Sequence, residues 1–343
     1  MHKKWLRARY FQRLFVVFTL LLQMIIIFYF LYSSSKASEI VSVMLSVISI
    51  VVAVLIASKQ ENEALCLLWI MCILAFPVFG GLMYLMFHFQ SSTKSFRKMS
   101  NTIENDTRPL FFMSESSMEN ALSDYPEQTT AIKYLEKSAG FPIYANTQTK
   151  YLSPGEVKFE YMLEELKKAE HYIFMEYFIV EEGEMWNETL AVLKEKAAAG
   201  VDVRLIYDGF GSMFTLPGDY DEEIRRAGIK CHVFNPLHFS LHISDYKMLN
   251  HRDHRKITVV DGETAFTGGL NFADEYINRK QRCGVWKDTG LMLKGPGVYP
   301  LTVTFLKMWD FVAGTTTPYT DYMPLGEYEA DGYVQPYCDS PLD

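Results

Sequence analysis

Two kinds of hydrophobic pattern divide the chain. In residues 1–90 the apolar residues form long runs, whereas from residue 145 onward short apolar runs alternate with amphipathic ones. Long runs are typical of transmembrane helices, and the alternation is typical of a sheet flanked by helices. The pattern therefore predicts an α/β protein in which N-terminal transmembrane helices are followed by an α/β domain.

Three apolar runs predict two or three transmembrane helices and hence a multi-pass protein of the cell membrane. They cover residues 14–32, 40–57 and 64–87, and each is long enough for a hydrocarbon core of about 30 Å. The third contains Pro77, which neighbouring helices can accommodate in a membrane. A signal peptide is the alternative for the first run. Basic residues flank both the first and the third run, so the side of the membrane that carries the α/β domain stays open.

Helices and strands alternate in the part of the chain that follows. Residues 91–143 are polar and predict a linker leading into the domain. Residues 144–325 then read as one α/β domain with a mainly parallel or mixed sheet flanked by helices. Helices are predicted at 156–169, 186–199 and 221–227, and strands at 171–180, 201–207 and 229–234.

A β-hairpin is predicted next, and it carries the candidate chemistry. The β-branched run that ends at Val260 is one strand, Asp261 and Gly262 form the turn, and residues 264–267 form the second strand. His254 and Lys256 precede this hairpin. Because alternate residues of a strand point to the same face, both side chains can reach one pocket.

The net charge and the cysteine spacing limit the kinds of partner and metal site that the protein can have. The formal net charge is −8, which disfavours a nucleic-acid-binding protein, since such proteins rely on a basic surface. The five cysteines are scattered and show no CxxC spacing, so neither a zinc site nor a disulfide framework is predicted. His238 and His242 lack acidic residues at metal-ligand spacing and are interpreted as loop residues. No metal or cofactor is predicted.

The residue types around the hairpin suit a phosphodiester substrate. The imidazole of His254 can attack phosphorus, while the Lys256 ammonium and the Asn271 amide can bind the phosphate oxygens as charge builds. Gly268 and Gly269 let the backbone approach a ligand closely. A surface hairpin with a chance His and Lys is the alternative, but the fixed spacing of the whole string argues against it.

The string reads HxKxxxxDxxxxxxGGxN from His254 to Asn271. It resembles the HKD motif of the phospholipase D superfamily, with every fixed position filled. Three further stretches are similar to bacterial cardiolipin synthases, namely Asn250–Lys256, Asn271–Tyr276 and Trp286–Asp288. The resemblance implies a phospholipase D-like domain that transfers a phosphatidyl group between two phosphatidylglycerol molecules, giving cardiolipin and glycerol through a phosphohistidine.

The resemblance also implies roles for individual residues. His254 is expected to be the nucleophile or the acid–base partner, and it is grouped with Lys256 and Asp261 as catalytic. Asn271, with Gly268 and Gly269, is expected to bind the substrate phosphate. Asp288 is expected to accept a hydrogen bond from His254 and hold its tautomer. Asp261 has an alternative role in supporting the hairpin.

Such sites use two motifs, yet no second HxKxxxxD string occurs in this sequence. Residues 326–343 resemble the start of a second half, so a truncated chain is expected, or else a homodimer that pairs two single motifs. Phosphatidylglycerol and the bilayer are the expected partners. A hydrolase of the same chemistry and an inactive membrane partner remain alternatives. A His254 ring turned into the interior, with Lys256 pointing the opposite way, would rule out catalysis.

Overall fold

The protein divides into an N-terminal helical unit and an α/β domain. The computed structural model describes residues 21, 24, 25, 36–58, 63–88, 109–111, 117–236, 251–324, 326 and 328–338. The first predicted membrane helix lies almost wholly outside these residues, as do His238 and His242.

The described part of the N-terminal unit contains three helices: α1 (Lys36–Ala57), α2 (Glu63–Ala75) and α3 (Pro77–His88). Because Pro77 has no N–H to donate, the third apolar run is split into helices of 13 and 12 residues. At 1.5 Å per residue each is about 20 Å long, short of a hydrocarbon core of about 30 Å.

Within the described residues, the transmembrane helices expected from the second and third runs are not found. No helix in the described ranges combines the length and the hydropathy needed to cross a membrane. The three helices enclose a small apolar cluster formed by Ile56, Cys66, Ile73 and Tyr84.

The α/β domain is a mixed sheet flanked by helices, as the sequence predicts. Its strands are β1 (Gln148–Leu152), β2 (Tyr172–Tyr177), β3 (Asp202–Asp208), β4 (Lys230–Phe234), β5 (Ile257–Val260), β6 (Thr264–Gly268) and β7 (Gly290–Lys294). Its helices are α4 (Met118–Asp124), α5 (Thr129–Lys133), α6 (Gly155–Lys168), α7 (Glu184–Ala198), α8 (Tyr220–Arg226) and α9 (Tyr299–Ala313).

Within the described residues these strands form one seven-stranded sheet in the order β1-β7-β6-β5-β2-β3-β4. The pairs β2–β3 and β3–β4 are parallel, whereas all other neighbours are antiparallel. The hairpin strand β5 lies beside β2, with Glu176 opposite Ile257. The motif therefore starts at the middle of the sheet.

Helices cover both faces of this sheet, which explains why nearly every residue of the central strands β2 and β5 is buried. On one face, Met175 and Leu205 pack with the apolar stripes of α6, α7 and α8. On the other face, Phe174 and Ile257 pack against Phe305 of α9. Alternate residues of β2 and β5 therefore belong to different cores.

Most of the predicted helices and strands of the domain are confirmed, with ends shifted by one or two residues. The predicted strand 171–180 is shorter, because the backbone leaves the sheet after Tyr177. The predicted linker is also too simple, since α4 and α5 lie within 117–138. The hairpin turn forms as expected: Asp261 and Gly262 both have positive φ, 51° and 68°.

The described residues near the end of the chain contact the same domain. The Val334 N–H donates a hydrogen bond to the Tyr144 carbonyl at 2.9 Å. The Val334 carbonyl accepts one from the Tyr144 N–H at 2.8 Å. The side chain of Gln335 donates to two more carbonyls, those of Ile132 and Phe141.

Candidate active site

His254 and Lys256 meet at the start of β5. The Lys256 Nζ donates a hydrogen bond to the backbone carbonyl of His254 at 2.5 Å. Both side chains lie near the ring of Phe178, with the imidazole centroid at 4.9 Å and Nζ at 5.5 Å from the ring centroid. His254 is exposed, whereas Lys256 is only 5% exposed. The arrangement that would rule out catalysis is therefore not the one observed.

The surroundings of His254 favour a neutral imidazole. Partial burial and the Lys256 ammonium lower its pKa below the ordinary value of 6.5, while Asp253 and Asp208 act in the opposite direction. A neutral imidazole has a free nitrogen lone pair at neutral pH. His254 therefore combines nucleophilic character with access from solvent.

Lys256 supplies a positive charge beside this imidazole. Burial lowers its pKa to about 8, although the carboxylates of Asp253, Asp288 and Asp208 all favour the charged form. The group is therefore mostly protonated at neutral pH. A buried ammonium stabilises developing negative charge more strongly than an exposed one, because less water screens it.

Asp208 organises the wall of the site beside His254. This fully buried carboxylate ends β3 and accepts backbone hydrogen bonds from Phe210 and Gly211 at 2.7 and 2.9 Å. It also accepts the N–H of Asp253 at 3.0 Å. Burial raises its pKa, and the backbone donors together with Arg252 limit the rise. Asp208 thus holds the glycine loop that follows it and the segment before His254 together.

A second buried ionic group lies on the α9 face of the sheet. The Arg255 Nε contacts Glu176 Oε1 at 2.6 Å and Asp253 Oδ1 at 3.1 Å. Burial raises the pKa of Glu176 well above its usual range, while Arg255 opposes the rise and Asp253 adds to it. Because Arg255 alternates with His254 and Lys256 along the chain, this group fixes the backbone from which the two catalytic candidates project.

Asn271 lies in the site region but its side chain is already engaged. Its Oδ1 accepts the backbone N–H of Ile179 at 3.1 Å, and its Nδ2 donates to the Tyr276 hydroxyl at 2.7 Å. One amide hydrogen therefore remains for a phosphate oxygen. The expected role of Asn271 in substrate binding stays a prediction.

The Gly268–Gly269 pair makes room for protein atoms. A Cβ at Gly268 would lie 2.4 Å from the Thr289 carbonyl oxygen, and one at Gly269 would lie 2.2 Å from Asp288 Oδ1. Gly268 also has a φ of 136°, a conformation that favours glycine. The pair therefore brings the Asp288 carboxylate close to the hairpin, and its expected contact with substrate stays a prediction.

Asp288 is placed beside the lysine of the motif. It precedes β7, its Oδ1 accepts the backbone N–H of Thr289 at 2.8 Å, and its charge favours protonated Lys256. Within the described residues no hydrogen bond joins it to His254. Its expected role in orienting the imidazole stays a prediction, and its charge acts on Lys256, Lys158 and Tyr276.

Asp261 is not brought to the site, which corrects its grouping with the catalytic residues. Asp261 follows β5 and His254 precedes it, so the whole of this four-residue strand, about 13 Å long, lies between them. Its carboxylate accepts the backbone N–H groups of Glu170, His171 and Tyr172 at 2.7 to 2.8 Å. Asp261 therefore supports the hairpin and the start of β2, the alternative role considered for it.

Other functional candidates were missed by the sequence reading. Asp208 ends β3, and only the fold brings it to the segment before His254; Arg252 and Asp253 adjoin His254 in sequence, but no role was predicted for them. Lys158 of α6, nearly a hundred residues upstream of the motif, is a further case. In the described ranges, no group of three or more His, Cys, Asp or Glu side chains is arranged to hold a metal ion.

Comparison with known proteins agrees with this geometry. A family model described as "Cardiolipin synthase, PLD-like domain" matches residues 162–309. These residues form a phospholipase D-like domain, the class that the motif indicates. The resemblance to cardiolipin synthases seen in the sequence is confirmed for these residues.

Individual relatives show how far the similarity extends. The chain is 39% identical over 296 residues to an uncharacterized protein of Streptococcus mutans serotype c, covering 84% of this chain and 62% of that protein. It is 34% identical over 306 residues to a cardiolipin synthase of Alkalihalophilus pseudofirmus, covering 88% and 59%. The chain thus spans about three fifths of the length of these curated relatives.

One solved structure is similar to this chain at a lower sequence identity than these relatives. Phosphatidylserine synthase from Haemophilus influenzae Rd KW20 aligns over 57% of this chain and 48% of its own, with 14% identity and a TM-score of 0.41.

Proposed function

We propose that this chain supplies the nucleophile of a phosphatidyl transfer. An imidazole nitrogen of His254 attacks the phosphorus of phosphatidylglycerol, and the bond from phosphorus to the glycerol oxygen breaks. Glycerol leaves with a proton from an acid group, and a phosphatidyl-histidine remains. The observation that carries the proposal is the exposed imidazole with lowered pKa beside the Lys256 ammonium.

The second step reverses the first with a different alcohol. The hydroxyl of another phosphatidylglycerol gives its proton to the base, attacks phosphorus and releases His254, which yields cardiolipin. Lys256 binds the non-bridging oxygens in both steps, because its charge faces the nucleophile and only one of its three N–H groups is used by the His254 carbonyl.

The acid–base group of this scheme is proposed to be a second histidine. The sequence contains one HxKxxxxD string, so a second copy of the chain, or another protein half that bears the motif, would supply it. A twofold pairing of identical chains brings the same surface of each copy together, which suits two identical motifs. Adding an excess of inactive His254→Ala chains should then lower the activity of the unmodified protein.

We further propose that the protein works at a lipid surface. Large apolar side chains of α1 are exposed, among them Val43, Val47 and Val54, and a lipid surface would cover them. Near the site, Phe210 and Phe214 are also close to half exposed. A diacyl substrate needs to be reached without leaving its bilayer, so apolar contacts of this kind suit it.

Hydrolysis is the second candidate function. His254 is open to solvent, so water could replace the second lipid alcohol as the acceptor and give phosphatidic acid. The nucleophile and the phosphate-binding lysine would be the same in both reactions.

Product analysis separates these functions. The purified full chain is incubated with vesicles of phosphatidylglycerol, and the lipids are extracted and identified. Cardiolipin with free glycerol supports the transferase, and phosphatidic acid supports the hydrolase. Absence of both products would favour an inactive membrane partner. His254→Ala should abolish either activity, whereas the exposed His171, at the far end of the sheet, should tolerate alanine.

A further inference from the structure

A buried lysine outside the motif lies behind the site. Lys158, in the first turn of α6, is 1% exposed, and its Nζ has no hydrogen-bond partner among the described residues. An unpaired ammonium is costly to bury, because water no longer solvates its charge. The core therefore retains a destabilising group at this position.

The sheet contains a gap that admits this side chain. A Cβ at Gly290 would lie 2.4 Å from Lys158 Cδ and 3.0 Å from its Cγ, so any other residue there would collide with the lysine stem. Gly290 pairs with Gly268 of the motif. The stem of Lys158 thus packs on Gly290, the strand partner of Gly268 in the motif.

Two charged groups of the site act on the head of Lys158. Burial lowers its pKa to about 8, the Asp288 carboxylate opposes this change, and the Lys256 ammonium adds to it. Asp288 and Lys256 are thus both within electrostatic reach of the buried Nζ. Asp288 in turn favours protonation of both lysines.

We propose that Lys158 is a positioning residue of the phosphate site, whose buried ammonium offsets the charge of the Asp288 carboxylate without a hydrogen bond and so leaves the charge of Lys256 available to the substrate phosphate. The inference rests on the proposed function, because it assigns a role within that same site. Without Lys158, Asp288 and Lys256 would neutralise each other. With it, two ammonium groups share the Asp288 carboxylate, so that carboxylate no longer offsets the charge of Lys256 alone.

The role of Lys158 differs from that of Lys256, because Lys158 is buried between its own helix α6 and strand β7 and acts through Asp288. A purely structural lysine would be expected to stabilise the domain. An unpartnered buried ammonium instead weakens it, so an apolar side chain of similar length should keep or raise the melting temperature while it weakens phosphate binding.

The test uses the full chain with Lys158→Met, and Lys167→Met on the exposed side of the same helix as the matched control. The Kd for inorganic phosphate is measured by calorimetry at pH 7. Lys158→Met should weaken binding about tenfold, the order expected for one unit charge acting across several ångströms at an effective dielectric constant of about 20. Lys167→Met should leave the Kd unchanged.

A double-mutant cycle tests the path through Asp288. In an Asp288→Asn background, Lys158→Met should weaken phosphate binding by less than twofold, because the carboxylate whose charge Lys158 offsets is no longer present. An equal loss in both backgrounds would overturn the proposal. So would a Kd for Lys158→Met equal to that of the control. If Lys158→Met does not fold, Lys158→Gln replaces it and the same outcomes apply.

This test separates the inference from the proposed function. If the unmodified protein binds phosphate but makes no lipid product, the proposed phosphatidyl transfer is rejected. The Kd values of the variants still decide whether Lys158 acts through Asp288. If product forms and Lys158→Met matches its control, the inference alone fails. If the unmodified protein does not bind phosphate, no anion site exists for Lys158 to serve, and the inference is overturned.

Discussion

The Nζ of Lys256 donates a hydrogen bond to the backbone carbonyl of His254 at 2.5 Å, so the two residues that define the motif are held in one place before any substrate arrives. The contact follows from their spacing, since alternate residues of an extended segment face the same side. It also keeps the ammonium beside an imidazole whose pKa it lowers.

Replacing Lys256 should therefore cost activity more than stability. Lys256→Met removes a buried charge that faces the reacting phosphate, and we expect kcat to fall by about 100- to 1,000-fold, the usual range for one transition-state donor. Lys194→Met, on the exposed side of α7, is the matched control. Equal kcat values for both variants in the vesicle assay would remove Lys256 from the mechanism.

The activity should depend on pH with two limbs. Because the pKa of His254 is lowered below 6.5, its nucleophilic neutral form persists to lower pH, and activity should rise through a midpoint below 6.5. Because the pKa of Lys256 is about 8, activity should fall again near that pH as the ammonium is lost. Initial rates on phosphatidylglycerol vesicles across pH 4–10 give both midpoints. An ascending limb centred above pH 7 would contradict the environment described for His254.

Replacing Asp261 tests whether its carboxylate supports the hairpin or takes part in the reaction. Asp261→Ala leaves three backbone N–H groups of the β2 start without their acceptor and puts alanine at a φ of 51°. We expect the free energy of unfolding to fall by about 2–4 kcal/mol. The kcat of the folded fraction should stay within about twofold, because the carboxylate is far from the reacting atoms.

Denaturant unfolding and kcat on the same preparation check this prediction. Alanine at the exposed Asp331 is the control for both measurements. A large loss of kcat with unchanged stability would return Asp261 to the catalytic group.

Two exposed aromatic residues should matter only when the substrate is in a membrane. Phe210 and Phe214 follow Asp208, and the Phe210 ring lies 5.4 Å from the Arg252 guanidinium. Changing both to serine should lower activity on vesicles by about tenfold, since burying a phenylalanine contributes roughly 1.5–3 kcal/mol. Activity on a dispersed short-chain phosphatidylglycerol should change little.

The control for this pair is Tyr151→Ser, which removes a still more exposed aromatic side chain from β1. If the double variant lost activity on both substrates alike, the pair would have a role in the fold of the Asp208 loop and none in membrane contact.

Local patterns made much of the fold predictable. The apolar stripe of α6, Gly200 after α7 and the Asp261–Gly262 turn each fix an element through contacts a few residues apart. The membrane region was predicted less well. Hydrophobicity alone does not show that Pro77 divides the third run into two short helices.

The site was predictable where one short segment builds it. His254 and Lys256 are neighbours in sequence, so spacing placed them correctly. Asp208 and Lys158 come from β3 and α6, and only the packed sheet brings them to the motif. Asp288 was named from the sequence, but its closeness to the hairpin depends on Gly269, which leaves room for its carboxylate, and on the packing that brings Lys158 within electrostatic reach.

The central claim is that His254 carries the phosphatidyl group between donor and acceptor. The most direct measurement is to mix the full chain with phosphatidylglycerol, stop the reaction with base, and locate the acid-labile phosphate adduct by peptide mass spectrometry. We predict an adduct on His254 in the unmodified protein and in His171→Ala, and none in His254→Ala. Product formation with no adduct, or with an adduct on another residue such as His251, would contradict the account.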